Sequence, residues 1–220
     1  MDLFNDAFDA SVNLLPFDGT VKYFGQVMSD AQADHYFDEL QRNIAWQHDQ
    51  AHIAGQLITT ERKIAWHGDA RFAYTYSGTT KHAVPWTDTL LELKQQIEHI
   101  TDAHFNSCLL NFYANGQQGM AWHSDNETTL GRNTCIASLS LGAQRTFAFK
   151  HKITAQTIAL ELAHGSLLAM QGETPLAASA STSHQHSSGT HQPDLSNHCQ
   201  SIQSTVTRIQ SPSSAFHSDF

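Results

Sequence analysis

The stretch FYANGQQGMAWHSDNE, positions 112–127, sets a glycine-containing turn just ahead of a histidine and an acid one residue apart, His123 and Asp125. On or beside a strand, residues i and i+2 share a face, so this pair can present an imidazole nitrogen and a carboxylate oxygen to one cation. Spacing alone does not decide the matter, because His67-Gly68-Asp69 and His217-Ser218-Asp219 repeat the pattern. Two of the three must serve another purpose. Two ligands are also too few: a non-haem Fe(II) oxygenase site takes a second histidine to complete a facial triad and keeps its other positions open.

The surrounding texture is that of short strands. SCLLNFY, CIASLSLG, RTFAFKHK, TIALELA and SLLAM follow one another from Ser107 onward, separated by turns that contain Gly116, Gly119, Gly142 and Gly165. Phe147 and Phe149 alternate with polar neighbours, as half-buried strands do. Upstream, two helices are expected. One runs from Asp30 to Asn43, with Phe37, Leu40 and Ile44 at helical spacing and Ser29 or Asp30 as cap. The other lies between Thr87 and His104, with Leu90, Leu91, Ile97 and Ile100 on its apolar side. A helical beginning followed by many short strands points to an α+β chain whose strands form a sandwich or jelly roll buttressed by helices.

At 220 residues, 40% hydrophobic and 15% charged, the chain can bury one sizeable core. No apolar run approaches the roughly 20 residues of a membrane span. MDLFNDAFDA at the N-terminus lacks the basic and apolar regions of a secretory signal, so a cytoplasmic location is expected. Cys108, Cys135 and Cys199 form no paired framework and read as reduced thiols. The formal charge of −9 argues against a broad electrostatic footprint on nucleic acid but leaves room for small contacts.

The residues from Thr60 to Lys150 resemble the AlkB family of Fe(II)- and 2-oxoglutarate-dependent dioxygenases, in its DNA-repair branch. The resemblance is carried by RKIAWHGD, YTYSG, VPW, FNSCLLNFYANG, WHSDNE and IASLSLGAQRTFAFKHK, in family order. The less distinctive VKYFGQVMSDAQADHYFDELQRNIAW extends it upstream. It implies a double-stranded β-helix that uses Fe(II), 2-oxoglutarate and O2 to remove alkyl groups from DNA bases, with RNA left open as substrate. It also implies a monomer with no membrane partner. His123 and Asp125 would be iron ligands, and Asn111 and Tyr113 would hydrogen-bond 2-oxoglutarate. Tyr74, Tyr76, Asn126 and Glu127 would lie near the target base, where stacking on an aromatic face suits an extruded nucleotide. Asn126 stands where the family often has an acid, which leaves base preference open. Arg62 and Lys63 are read as phosphate contacts or solvated charges, and Arg145 as an internal partner or a lining residue of the site.

The family pattern breaks after GSLLAMQGET. The strand bearing the third iron ligand, W-x-H-x-[LIV]-P, and the closing R-I-N-L-T-F-R, whose arginines grip 2-oxoglutarate, are both absent from the chain. A displaced reading of the codons restores them. Taking the last two nucleotides of each codon with the first of the next, 174–179 allow R-H-W-L-H-R, 180–182 allow L-P-P, and 190–197 allow R-I-N-L-T-F-R. A frameshift near Glu173 is therefore expected. The organisation expected for the chain is a lead-in over 1–30, a dioxygenase domain over 31–173 that lacks its C-terminal end, and an irregular tail over 174–220, rich in Ser, Thr, His and Gln, in place of the last strands. Two other readings remain open: a catalytically inactive jelly-roll module that binds nucleic acid or a partner, and an unrelated cupin-like metal enzyme.

Overall fold

The computed structural model describes residues 11–15, 19–53, 56–69, 73–76, 79–123, 135–171, 176–181 and 200–207. Thirteen strands and two helices follow one another through them. The order begins β1 (Thr20–Gln26), α1 (Asp30–Asn43), β2 (Gln47–Ile53), β3 (Gln56–Gly68), β4 (Ala73–Tyr76), β5 (Thr79–His82) and α2 (Asp88–Thr101). It continues with β6 (Ser107–Tyr113), β7 (Met120–His123), β8 (Ile136–Gly142), β9 (Arg145–His151), β10 (Thr157–Leu162), β11 (Ser166–Gln171), β12 (Leu176–Ser181) and β13 (Ser201–Thr207).

Both helices start where capping chemistry permits. The Ser29 hydroxyl accepts from the Gln32 N–H and the Gln32 side chain accepts from the Ser29 N–H, a reciprocal box that satisfies two otherwise free donors. Ala33, Tyr36 and Leu40 then recur on one buried stripe. In α2 the Thr87 hydroxyl accepts from Leu90 N at 3.3 Å, and Leu90, Leu93 and Ile97 turn inward. Leu91, expected on that stripe, is exposed instead. At the other end Glu98 Oε1 accepts from the Phe105 N–H at 2.8 Å and from Lys94 Nζ at 2.9 Å. Burial tends to raise the Glu98 pKa, but the Phe105 N–H and the Lys94 charge outweigh it and hold the carboxyl below its usual range. A depressed folded-state pKa gives stability that is present above the unfolded value and lost as pH falls through the folded one. Glu98→Gln should therefore cost about 1 kcal/mol at neutral pH and much less in acid strong enough to protonate the carboxyl in the folded state as well. Urea unfolding at the two pH values checks this; an equal cost at both would refute it.

The strands pair antiparallel into a seven-stranded sheet, β1-β11-β8-β13-β6-β3-β2, a four-stranded sheet, β10-β9-β12-β7, and a β4-β5 hairpin. Antiparallel sheets with few helices are the arrangement expected for a jelly roll. The larger sheet is buried on both faces. Cys108, Leu110, Phe112, Leu139, Leu141 and Ile202 pack with the buried stripes of α1 and α2. On the opposite face Val21, Tyr23 and Leu168 meet Phe147, Phe149 and Leu162 of the smaller sheet. This is why SCLLNFY reads as a nearly continuous buried run rather than a strict alternation.

Two expectations are corrected. The chain before Ser107 is not simply helical: β1 supplies an edge of the larger sheet, alternating buried Val21 and Tyr23 with half-buried neighbours, and β2 and β3 form a long hairpin. The C-terminal strands are not lost either. Leu176–Ser181 lies between β7 and β9, and Ser201–Thr207 between β6 and β8. Strand pairing is made by backbone groups, so Ser- and Thr-rich sequence can fill a slot whose neighbours would otherwise present unpaired edges. Ile202, 1% exposed, supplies β13 with a core contact.

The turn into β11 depends on Gly165, which has φ +70° and places its carbonyl 2.9 Å from Val27 N. An added Cβ would stand 3.0 Å from Met28 Cγ and 3.2 Å from Ala33 Cβ. Gly165→Ala should destabilise by about 1–3 kcal/mol, from backbone strain and crowding together. A fall in melting temperature measures it; an unchanged value would show that the turn can relax.

Candidate active site

Strand alternation sorts the side chains of β6. Cys108, Leu110 and Phe112 pack toward the helices, so Asn111 and Tyr113 fall on the face turned to the smaller sheet. Both are buried, at 3% and 0% exposure. The Tyr113 hydroxyl has no hydrogen-bond partner among the described residues, although Arg62 approaches it closely enough to act on its charge. Burial pushes the Tyr113 phenol above its usual range, against the pull of the Arg62 and Arg145 guanidinium groups. It therefore stays protonated at neutral pH, a donor suited to a carboxylate oxygen.

Two arginines flank this phenol. Arg145, on the inner face of β9, stacks its guanidinium 4.1 Å from the Tyr113 ring centroid and donates from Nη2 to the Gln118 carbonyl. Arg62, on the Asn111 side of β3, donates from Nη1 to Asn111 Oδ1 at 2.7 Å and from Nη2 to Asp49 Oδ2. Of the readings open for these residues, Arg145 is thus an internal residue beside Tyr113, and Arg62 is no surface contact. Asp49 and Arg62 are 6% and 9% exposed. Their meeting follows from a break in the β2–β3 ladder, where His48 pairs with Lys63 but Gln50 pairs with Thr59, so that Asp49 faces the three residues 60–62.

The competing H-x-D motif is occupied structurally. His67 Nδ1 lies 2.8 Å from the Pro85 carbonyl, so that nitrogen carries the proton, and burial lowers the His67 pKa while the Pro85 carbonyl pulls it back up. Asp69 Oδ1 accepts from Trp86 Nε1 at 2.6 Å. The motif at 217–219 lies outside the described residues. His123 closes β7, opposite Ala178 and in the row of the smaller sheet that carries Phe149. Its side chain is not among those described, and Asp125, Asn126 and Glu127 lie outside the described residues. Tyr74 and Tyr76 occupy alternate positions of β4, opposite Lys81 and Thr79 in the hairpin; their side chains are likewise not described. The structure thus brings Asn111 and Tyr113 together, adds Arg62, Arg145 and Asp49 to them, and leaves the convergence of His123 with Asp125 undescribed. No group of three metal-binding side chains occurs among the described residues.

Sequence reasoning missed Asp49 and Gln118. Neither carries a local signal: Asp49 is a single acid in a polar run, and Gln118 meets Arg145 through its backbone carbonyl.

The free donors of this set, an amide and a phenol that remains protonated, suit a carboxylate, and two guanidinium groups hold them in place. Comparison with known proteins gives the family. Alpha-ketoglutarate-dependent dioxygenase alkB homolog 3 of Bos taurus is 38% identical over 153 residues, 65% of this chain and 53% of that protein. DNA oxidative demethylase ALKBH2 of Homo sapiens is 34% identical over 155 residues, 66% of this chain and 59% of that protein. The chain thus spans little more than half the length of these curated relatives. A solved structure titled "The structure of OsALKBH1" superposes with a TM-score of 0.57 at 11% identity, covering 88% of this chain and 98% of that one, a likeness of fold. The model of the family described as 2OG-Fe(II) oxygenase superfamily matches residues 20–208. With most of its length matched, on a fold of antiparallel sheets that buries such donors, the chain belongs to the 2OG-Fe(II) oxygenase superfamily.

Proposed function

We propose that this protein is an Fe(II)- and 2-oxoglutarate-dependent dioxygenase that oxidatively dealkylates N-alkylated nucleic-acid bases, acting as a monomer on DNA or RNA. The observation that carries the reading is the buried Asn111–Tyr113 pair on the inner face, in a chain whose relatives are named dioxygenase and DNA oxidative demethylase. Fe(II) with 2-oxoglutarate and O2 supplies the oxidising power for hydroxylating an N-alkyl carbon. The residues bind and orient. Asn111 and the protonated Tyr113 would hold 2-oxoglutarate, with Arg145 fixing the Tyr113 ring from the facing sheet. His123 and Asp125 would hold iron, Tyr74 and Tyr76 would stack on the base, and Asn126 and Glu127 would hydrogen-bond its edge. Burial of Asn111 and Tyr113 between the two sheets keeps water from them and strengthens their polar contacts.

The test is anaerobic loading with Fe(II), followed by 2-oxoglutarate decarboxylation on admission of air, with and without an N-methylated oligonucleotide. Stimulated decarboxylation with release of formaldehyde supports the reading. Nucleic-acid binding with no decarboxylation would favour instead an inactive jelly-roll module, the alternative suggested by the missing W-x-H-x-[LIV]-P and R-I-N-L-T-F-R motifs.

Those motifs also support a frameshift near Glu173, since both reappear, in order, in one displaced frame. The nucleotide sequence of the gene tests it. Codons at 174–197 that spell neither motif in the displaced frame would end the idea.

A further inference from the structure

We propose that Arg62, anchored by Asp49, is a positioning residue that fixes the Asn111 amide so that its NH2 group, rather than its carbonyl, is presented to a carboxylate ligand. The inference rests on the reading of Asn111 as a 2-oxoglutarate contact. An asparagine side chain has an accepting end and a donating end of nearly the same shape. A carboxylate only accepts, so a reversed amide would set oxygen against oxygen and turn an attraction into a repulsion.

Arg62 removes that ambiguity. A guanidinium has five donors and no acceptor, so the Asn111 atom 2.7 Å from Arg62 Nη1 must be Oδ1. The planar amide then directs Nδ2 away from Arg62. Arg62 is itself held, because its other terminal nitrogen donates to the Asp49 carboxylate, and the rigid fork ties the two hydrogen bonds into one geometry. Asp49 reaches this position only through the break in the β2–β3 ladder. The chain Asp49–Arg62–Asn111 runs from β2 through β3 to β6.

Stability alone is a weak reason for such an arrangement. Removing two charges from water costs about as much as their attraction returns, and apolar residues of the same volume often serve as well or better. What an apolar pair cannot do is select one of two amide orientations on a neighbouring strand. The Asp49 charge has a second effect: it neutralises Arg62, so that the guanidinium stays at its post instead of turning to the incoming anion.

The experiment is calorimetric titration of the full chain with 2-oxoglutarate in the presence of Mn(II), which permits binding without turnover. Arg62→Lys keeps the positive charge but not the two-pronged geometry. It should weaken 2-oxoglutarate binding about tenfold while leaving Mn(II) affinity unchanged. In the Asn111→Ala background, Arg62→Lys should lose most of its effect, because there is no amide left to orient and only its influence on the Tyr113 phenol remains. Asp49→Asn, nearly the same in volume, should show a smaller loss that Asn111→Ala likewise largely removes, and it carries the test should Arg62→Lys fail to fold. Unaltered binding in Arg62→Lys, or the same tenfold loss with and without Asn111, would overturn the positioning role while the cosubstrate reading stands. A wild-type chain that binds no 2-oxoglutarate overturns both.

Discussion

Replacing Arg62 with alanine should lower the free energy of unfolding by about 3–5 kcal/mol, because the substitution leaves the Asp49 carboxylate buried without its guanidinium and strips Asn111 Oδ1 of its donor. Context sets the magnitude. The Arg42–Asp38 pair, at 2.5 Å, is comparably close, but its side chains are 65% and 51% exposed, and removing Arg42 should cost no more than about 1 kcal/mol. The double variant Asp49→Leu/Arg62→Met should recover most of the loss, since it removes both charges and keeps the volume filled. Urea unfolding of the three variants decides. A loss under about 1 kcal/mol for Arg62→Ala would mean that water reaches Asp49, and a double variant as unstable as the single one would mean that packing, not charge, is at stake.

The second large effect is on chemistry. Under the proposed function, His123→Ala and Asp125→Ala should each reduce Fe(II)-dependent decarboxylation of 2-oxoglutarate by at least about a hundredfold, since each takes away one of the two iron ligands assigned to the chain. The contrast that makes the result informative is His67→Gln. His67 heads the H-x-D motif that lies within the described residues, but its Nδ1 is engaged by the Pro85 carbonyl, and Asp69 accepts from Trp86. That variant should lose stability and keep Fe(II) affinity. Equal losses of iron binding at His67 and His123 would remove the basis for choosing between the motifs.

The Asn111–Tyr113 pair and the Asp49–Arg62 pair differ in how they could be found. The former is reached only through the resemblance to a family, since an asparagine and a tyrosine i and i+2 apart in an apolar run read by themselves as a strand end and core. The latter joins residues thirteen positions apart that no periodicity links. Its existence depends on how the β2–β3 ladder is broken, and a ladder break is decided by the competition of whole strands for register.

The sequence by itself determined the two helices and the strands β6, β8, β9, β10 and β11, because caps, turn glycines and the periods of 3.6 and 2 are local signals that each segment carries alone. Only the tertiary structure decided that Ser- and Thr-rich segments near the C-terminus become β12 and β13, that Arg62 is interior, and that one H-x-D motif is committed to Pro85 and Trp86. The physical reason is common to all three. A polar group's role is set by the partners that reach it, and those partners arrive from segments distant in the chain, which no local pattern links to it.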